Sequence, residues 1–153
     1  MTIYEVLKRD HKKVQELLDQ IEKTDGRGAS KRALLFEQLK DDLLAHAKAE
    51  DAIFYARIRD TKPARKITLE AHEEHRVVER LLDEMARLDA TDEVFLAKFK
   101  VLKEAVEHHV EEEEGELFQK ARKAIDVEEA RELGEKMLAA ESRRYRSRAA
   151  ASR

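Results

Sequence analysis

Ile3, Val6, Leu7, Val14, Leu17, Leu18 and Ile21 recur at three- and four-residue intervals, the signature of one helical face. Thr2 and Glu5 stand in front of them at capping-box spacing, and Asp25-Gly-Arg-Gly28 ends the run near Lys23. A second stripe follows a candidate cap at Ser30: Leu35, Phe36, Leu39, Leu43, His46, Glu50 and Ile53, running to about Arg59 before the break at Pro63. A third helix is predicted over residues 64–88, with Leu69, Val78, Leu82 and Met85 inward. Thr91, Asp92 and Glu93 suit the positive start of a fourth, over 92–124, whose line is Phe99, Leu102, Val106, His109, Glu113 and Leu117. Asp126 with Glu129 caps a shorter fifth helix carrying Val127, Leu133, Met137 and Leu138, and residues 146–153 are expected to form a disordered tail.

Four long helices joined by short links place sequence neighbours antiparallel. The expected fold is all-α: one domain over residues 1–145, an up-down-up-down four-helix bundle with an additional short C-terminal helix. No strand period competes with this pattern.

Composition narrows the function. The 34 acidic and 31 basic residues nearly cancel, which argues against a nucleic-acid partner or a membrane surface. No apolar run approaches the length of a membrane span, and the charged N-terminus does not read as a signal peptide. With no cysteine, disulfides and thiolate metal sites are excluded. A cytoplasmic protein is expected.

The stripes are interrupted by polar residues that should not be there. His46 and Glu50 lie roughly 40° apart on the face of Leu39 and Leu43, and burying them without partners would be costly. His109 and Glu113 repeat the arrangement on the fourth helix, and each pair is followed by acidic and then aromatic positions, Phe54-Tyr55 and Phe118. His11 sits at core spacing between Leu7 and Val14, and His75 continues the line of Val78, Leu82 and Met85. His108 with Glu112 has the same four-residue spacing but a poor core line. With the chain direction alternating, His11, His46, His75 and His109 fall within one or two turns of a common level. Four imidazoles and two carboxylates without thiolate suit iron, manganese or zinc.

In these motifs the chain resembles the hemerythrin-like (HHE cation-binding) domains: Asp10-His11, His46 and Glu50 followed by Ile-Phe-Tyr55, Glu73-Glu-His75-Arg-Val-Val, and His109 with Glu113-Glu-Gly-Glu-Leu-Phe118. The resemblance implies His11, His46, His75 and His109 as terminal ligands and Glu50 and Glu113 as bridges of two non-haem irons that also share an oxo or hydroxo group. It implies reversible binding or sensing of a small ligand, O2 or NO. The alternative is an enzyme that consumes peroxide or handles iron.

Two departures bear on the ligand set. The invertebrate oxygen carriers place two ligand His four apart on the third helix, whereas His72 and His75 are three apart, so His72 is either a fifth ligand or a group supporting one. Those carriers also bridge with an Asp five residues after the fourth-helix His; here Glu113 stands at four, with Glu114 the less well-oriented alternative. Ferritin-like Glu-x-x-His motifs are absent, and His72-Glu-Glu-His75 is one residue short of a zinc-protease motif. Tyr55 lies about 180° from His46 on a regular helix and is not expected among the ligands.

Overall fold

A computed structural model describes residues 1–151, and these contain helices, turns and loops but no strand. Helix α1 (Ile3–Glu22) opens on the expected capping box: Thr2 Oγ1 accepts from the Glu5 backbone N–H, and the Glu5 carboxylate accepts from that of Thr2. Helix α2 (Ala29–Glu50) starts one residue before Ser30, with Gly28 at the cap and no side-chain cap. Asp25 organises that loop instead, its carboxylate accepting from the N–H groups of Arg27 and Gly28.

The second long helix does not stay α-helical. Immediately after Glu50 it widens into a π-helical turn, Asp51–Tyr55, before α3 (Ala56–Ile58). Helix α4 (Arg65–Ala86) follows, then α5 (Glu93–Glu112), which is capped by the Asp92 carboxylate accepting from the Val94 N–H at 2.8 Å. A second π turn, Glu113–Leu117, leads into α6 (Phe118–Ala124). Helix α7 (Val127–Ala151) closes the described chain.

Side-chain pairs fix the directions. Asp10 with His46 and Thr24 with Arg32 set α1 against α2. Glu74 with His109 and Glu84 with Lys98 set α4 against α5, and His11 with Glu114 and Gln15 with Glu107 set α1 against α5. Each pair is antiparallel. Buried Arg32 pins the far end, donating to Thr24 Oγ1 at 2.8 Å and to the carbonyls of Ala90 at 2.7 Å and Asp25 at 2.9 Å.

The core is in two parts. One contains Leu7, Phe54, Ile58, Leu117, Phe118 and Met137; the other contains Val14, Leu18, Phe36, Leu39, Leu82, Phe95 and Leu102. Edge-on aromatic contacts knit each, Tyr4 with Phe118 at 5.0 Å and Phe36 with Phe95 at 5.2 Å. Each buried phenylalanine contributes about 1.5–3 kcal/mol by leaving water. In sequence, the chain along α1, α2, α4 and α5 passes from one cluster to the other through a buried polar residue: His11, Glu50, His75 and His109 in turn.

The structure corrects the expected C-terminal region. Helix α7 has 25 residues and is not short. It buries Ala130, Leu133, Gly134 and Met137 and runs parallel to α1, with Gly134 beside Met1–Ile3 and Glu141 accepting from Arg9 at 2.8 Å. The helix continues through residues 146–151, where a disordered tail was expected, with Arg144 donating to Asp42 at 3.0 Å on its way; residues 152 and 153 lie outside the described chain. Leu69 is 45% exposed, because Ile67, Thr68 and Ala71 take the inward face of α4.

Candidate metal centre

The six side chains expected at the site converge. His11 comes from α1, His46 and Glu50 from the last turn of α2, His75 from α4, and His109 and Glu113 from the end of α5 and the start of its π turn. Glu50 and Glu113 are 0% and 1% exposed. His75 Nε2 lies 3.0 Å and His46 Nε2 3.7 Å from Glu50 Oε1, while His11 Nε2 and His109 Nε2 each lie 3.2 Å from Glu113, on its two different oxygens. The donor atoms form two groups, His11-His46-Glu50 and Glu50-His75-His109-Glu113, in each of which all lie within 4.8 Å of one another. Glu50 belongs to both.

This geometry fits a metal better than it fits a hydrogen-bonded core. The inward atoms His11 Nε2, His46 Nε2, both Glu50 oxygens and Glu113 Oε1 are buried and have no hydrogen-bond partner among the described residues. Leaving a carboxylate so placed is expensive unless a cation neutralises it. Nitrogen and oxygen donors without sulfur belong to the iron, manganese and zinc range.

The outward atoms are all engaged, and in a regular order. His46 Nδ1 meets Asp10 at 3.3 Å, His75 Nδ1 meets Asp51 at 3.0 Å, His109 Nδ1 meets Glu74 at 2.8 Å, and His11 Nδ1 meets Glu114 at 2.7 Å. A carboxylate at Nδ1 fixes the tautomer that leaves the Nε2 lone pair pointing inward and raises its basicity. Each of these four acids adjoins an inner residue in sequence: Asp10 precedes His11, Asp51 follows Glu50, Glu74 precedes His75 and Glu114 follows Glu113. Each supports the imidazole of the next helix, so the order closes as α1 to α2, α2 to α4, α4 to α5 and α5 back to α1.

Without a cation, protons compensate the negative charge. Burial pushes Glu50 well above the usual carboxylate range, reinforced by the neighbouring charge of Glu113. Burial would raise Glu113 too, but the His109 and His11 imidazoles, each with Nε2 3.2 Å from one of its oxygens, outweigh it and hold Glu113 well below that range. Burial alone would depress His11 and His109; their carboxylate partners, Glu113 and Glu114 for one and Glu113 and Glu74 for the other, instead lift both to about 10. His46 is lowered, chiefly by burial.

Tyr55 joins the site unexpectedly. Its Oη donates to Glu113 and lies 3.4 Å from His109 Nε2, and its ring stacks on His75 at 5.1 Å. The π turn explains this: five residues in a wider helix bring Tyr55 back by about a quarter turn from its regular-helix position. His72 stands apart from the donor groups. Its side chain is 38% exposed, and its Nδ1 lies 3.2 Å from the Asp51 carboxylate it shares with His75. Glu114 points to His11 Nδ1 and not between the donor groups. On the side facing the second core cluster, a cavity of about 30 Å³ touches all four imidazoles and is lined by Val14, Leu43, Leu82, Val106 and Val110, and also by Glu79.

Comparison with known proteins agrees with this geometry. The sequence model of the family described as Hemerythrin HHE cation binding domain matches residues 2–121. A curated relative from Nostoc sp. (strain PCC 7120 / SAG 25.82 / UTEX 2576), named DNA nickase, is 29% identical over 143 residues. That match takes in 94% of this chain but 40% of the relative, so this chain spans less than half of its length. The crystal structure of a Hemerythrin HHE cation binding domain-containing protein, the Rv2633c homolog from Mycobacterium kansasii, superposes with a TM-score of 0.81 at 30% identity, covering 99% of this chain and 91% of that one.

Proposed function

This chain belongs to the hemerythrin HHE cation-binding domain family, and from that premise we propose that it is a cytoplasmic non-haem di-iron protein that binds or senses O2 or NO. Its helices α1, α2, α4 and α5 are read as an up-down-up-down bundle that holds the centre. His11 and His46 would serve one iron, His75 and His109 the other, with Glu50 and Glu113 bridging them alongside an oxo or hydroxo group. Two irons held in this way would supply open coordination positions and one-electron redox chemistry.

The protein's own contribution is orientation and exclusion of water. Asp10, Asp51, Glu74 and Glu114 hold the four rings with Nε2 inward. The observation that carries the choice of ligand is the largely aliphatic cavity against all four imidazoles: its volume of about 30 Å³ admits a water-sized guest, and its walls, aliphatic apart from Glu79 and the rings themselves, favour an uncharged diatomic. Tyr55 supports the alternative, a peroxide-consuming enzyme, because its hydroxyl is a proton donor already inside the site. The nickase activity named for the Nostoc relative is not carried over: this chain matches 40% of it, and the acidic balance here offers no excess positive charge to a phosphate backbone.

Metal analysis of protein from iron-supplied cells tests the reading. About two irons per chain are expected, with loss of iron in both Glu50→Ala and Glu113→Ala; iron-free protein would overturn it, and full iron in either variant would overturn bridging. Reversible O2 uptake by the reduced protein then supports the carrier or sensor, whereas sustained peroxide turnover supports the enzyme.

A further inference from the structure

One His-x-x-x-Glu pair is left over by the inner centre. His108 follows His109 directly, so on α5 it projects about 100° away from the site. Its side chain is 70% exposed, and its Nε2 lies 3.3 Å from Glu112 Oε2, one turn along the same helix. Glu74 of the facing helix α4 completes the group, with Oε2 at 3.8 Å from the same nitrogen. All three donor atoms lie within 4.8 Å of one another. Donors about 2.0–2.2 Å from a tetrahedral cation stand about 3.3–3.6 Å apart, so a sub-ångström adjustment of exposed side chains would close the site. Glu70 and Glu116 add negative charge around Glu112 and concentrate cations there.

We propose that His108, Glu112 and Glu74 form an outer site for a borderline divalent cation such as Zn2+, joined to the inner residue His109 through the shared Glu74 carboxylate. Glu74 faces both ways: Oε1 meets His109 Nδ1 at 2.8 Å while Oε2 faces His108. A cation at the outer site draws electron density from the carboxylate and weakens the hold of Oε1 on His109. The inner centre therefore senses the outer ion without sharing a ligand atom with it. One imidazole and two carboxylates leave at least one position for water, which makes the outer site exchangeable.

Binding of Zn2+ at the outer site does not depend on the inner centre being a metal site; the coupling does rest on that reading. Zn2+ titration of the full chain, followed by calorimetry and by imidazole resonances in NMR, separates the two. Wild-type protein and a variant carrying both Glu50→Ala and Glu113→Ala, which removes a carboxylate from each inner donor group, should both bind an outer Zn2+ that shifts the His108 ring signals. His108→Ala, a change at an exposed position, should bind it at least about tenfold more weakly. Equal binding by His108→Ala overturns the proposal, and so does absence of the His108 shift in the Glu50→Ala and Glu113→Ala double variant. In protein carrying inner iron, Zn2+ should also shift the visible absorption, and Glu74→Gln should abolish that shift; an unmoved spectrum in wild type overturns the coupling.

Discussion

The phenol of Tyr55 donates a hydrogen bond to Glu113, 58 positions along the chain, and so ties the two π-turn arms of the site together. Tyr55→Phe removes this donor and leaves the ring stacked on His75. We expect metal-free protein to lose about 1.5–3 kcal/mol, the usual worth of a hydrogen bond to a charged acceptor. Metal should still bind, because all six inner donors remain. Chemical denaturation of the variant, with and without metal, checks both statements; an unchanged midpoint would show that the bond contributes nothing.

Asp51 accepts from His75 at 3.0 Å, and His72 Nδ1 lies 3.2 Å from the same oxygen. Asp51→Asn keeps the shape and removes the charge that makes His75 a strong donor. Metal affinity should fall about 10–100-fold, with helical content unchanged. His72→Ala, which loses only the exposed partner, should change affinity far less. Competition against a chelator measures both, and equal losses would instead place His72 among the ligands.

The pH dependence of metal-free protein should run opposite to that of most carboxylate-rich proteins. His11 and His109 rise from the ordinary 6.5 to about 10 in the fold. A raised folded-state pKa means that their stabilisation is complete below 6.5 and is lost as pH climbs through 10. The melting midpoint of metal-free protein should therefore fall between pH 7 and pH 10. A cation at Nε2 replaces these protons, so loaded protein should lose that slope. Thermal scans across this range distinguish the two forms, and a flat metal-free profile would count against protonated rings.

Gly134 sits where α7 touches the start of α1, and an added Cβ would lie 2.2 Å from the Met1 carbonyl oxygen and 2.9 Å from the Ile3 nitrogen. Backbone cannot yield as a side chain does, so Gly134→Ala should cost about 1–3 kcal/mol and loosen α7. At Gly115 an added Cβ would meet open space. Gly115→Ala should gain up to about 1 kcal/mol from helix propensity. The contrast between the two, read by thermal melting, tests the docking of α7.

The six inner residues were legible because each breaks an apolar stripe, and a stripe read at 100° per residue holds as far as Glu50 and Glu113. Past those residues the helices widen, and the same reading turned Tyr55 away from the site it occupies. Leu69 shows a similar limit at the start of α4, where Ile67 and Ala71 won the inward face. Asp10, Asp51, Glu74 and Glu114 gave no signal as a class, since 34 acidic residues crowd the chain. What marks them is position: each stands directly beside an inner residue, and that regularity was open to reading. The length of α7 was hidden because its polar, arginine-rich end docks by ion pairs to Asp42 and not by an apolar face.

The closed order of acids around the four rings relocates the effect of mutation. Asp10 stands on α1, yet the ring it steadies is His46 of α2; Glu114 stands at the far end of the chain's fourth long helix, yet it steadies His11 near the beginning. Damage at any one of these acids is felt one helix further round, and no helix carries the support for its own imidazole. The four helices are thus interlocked like clasped hands, each gripping its neighbour, so the centre can be assembled only when all four are present together.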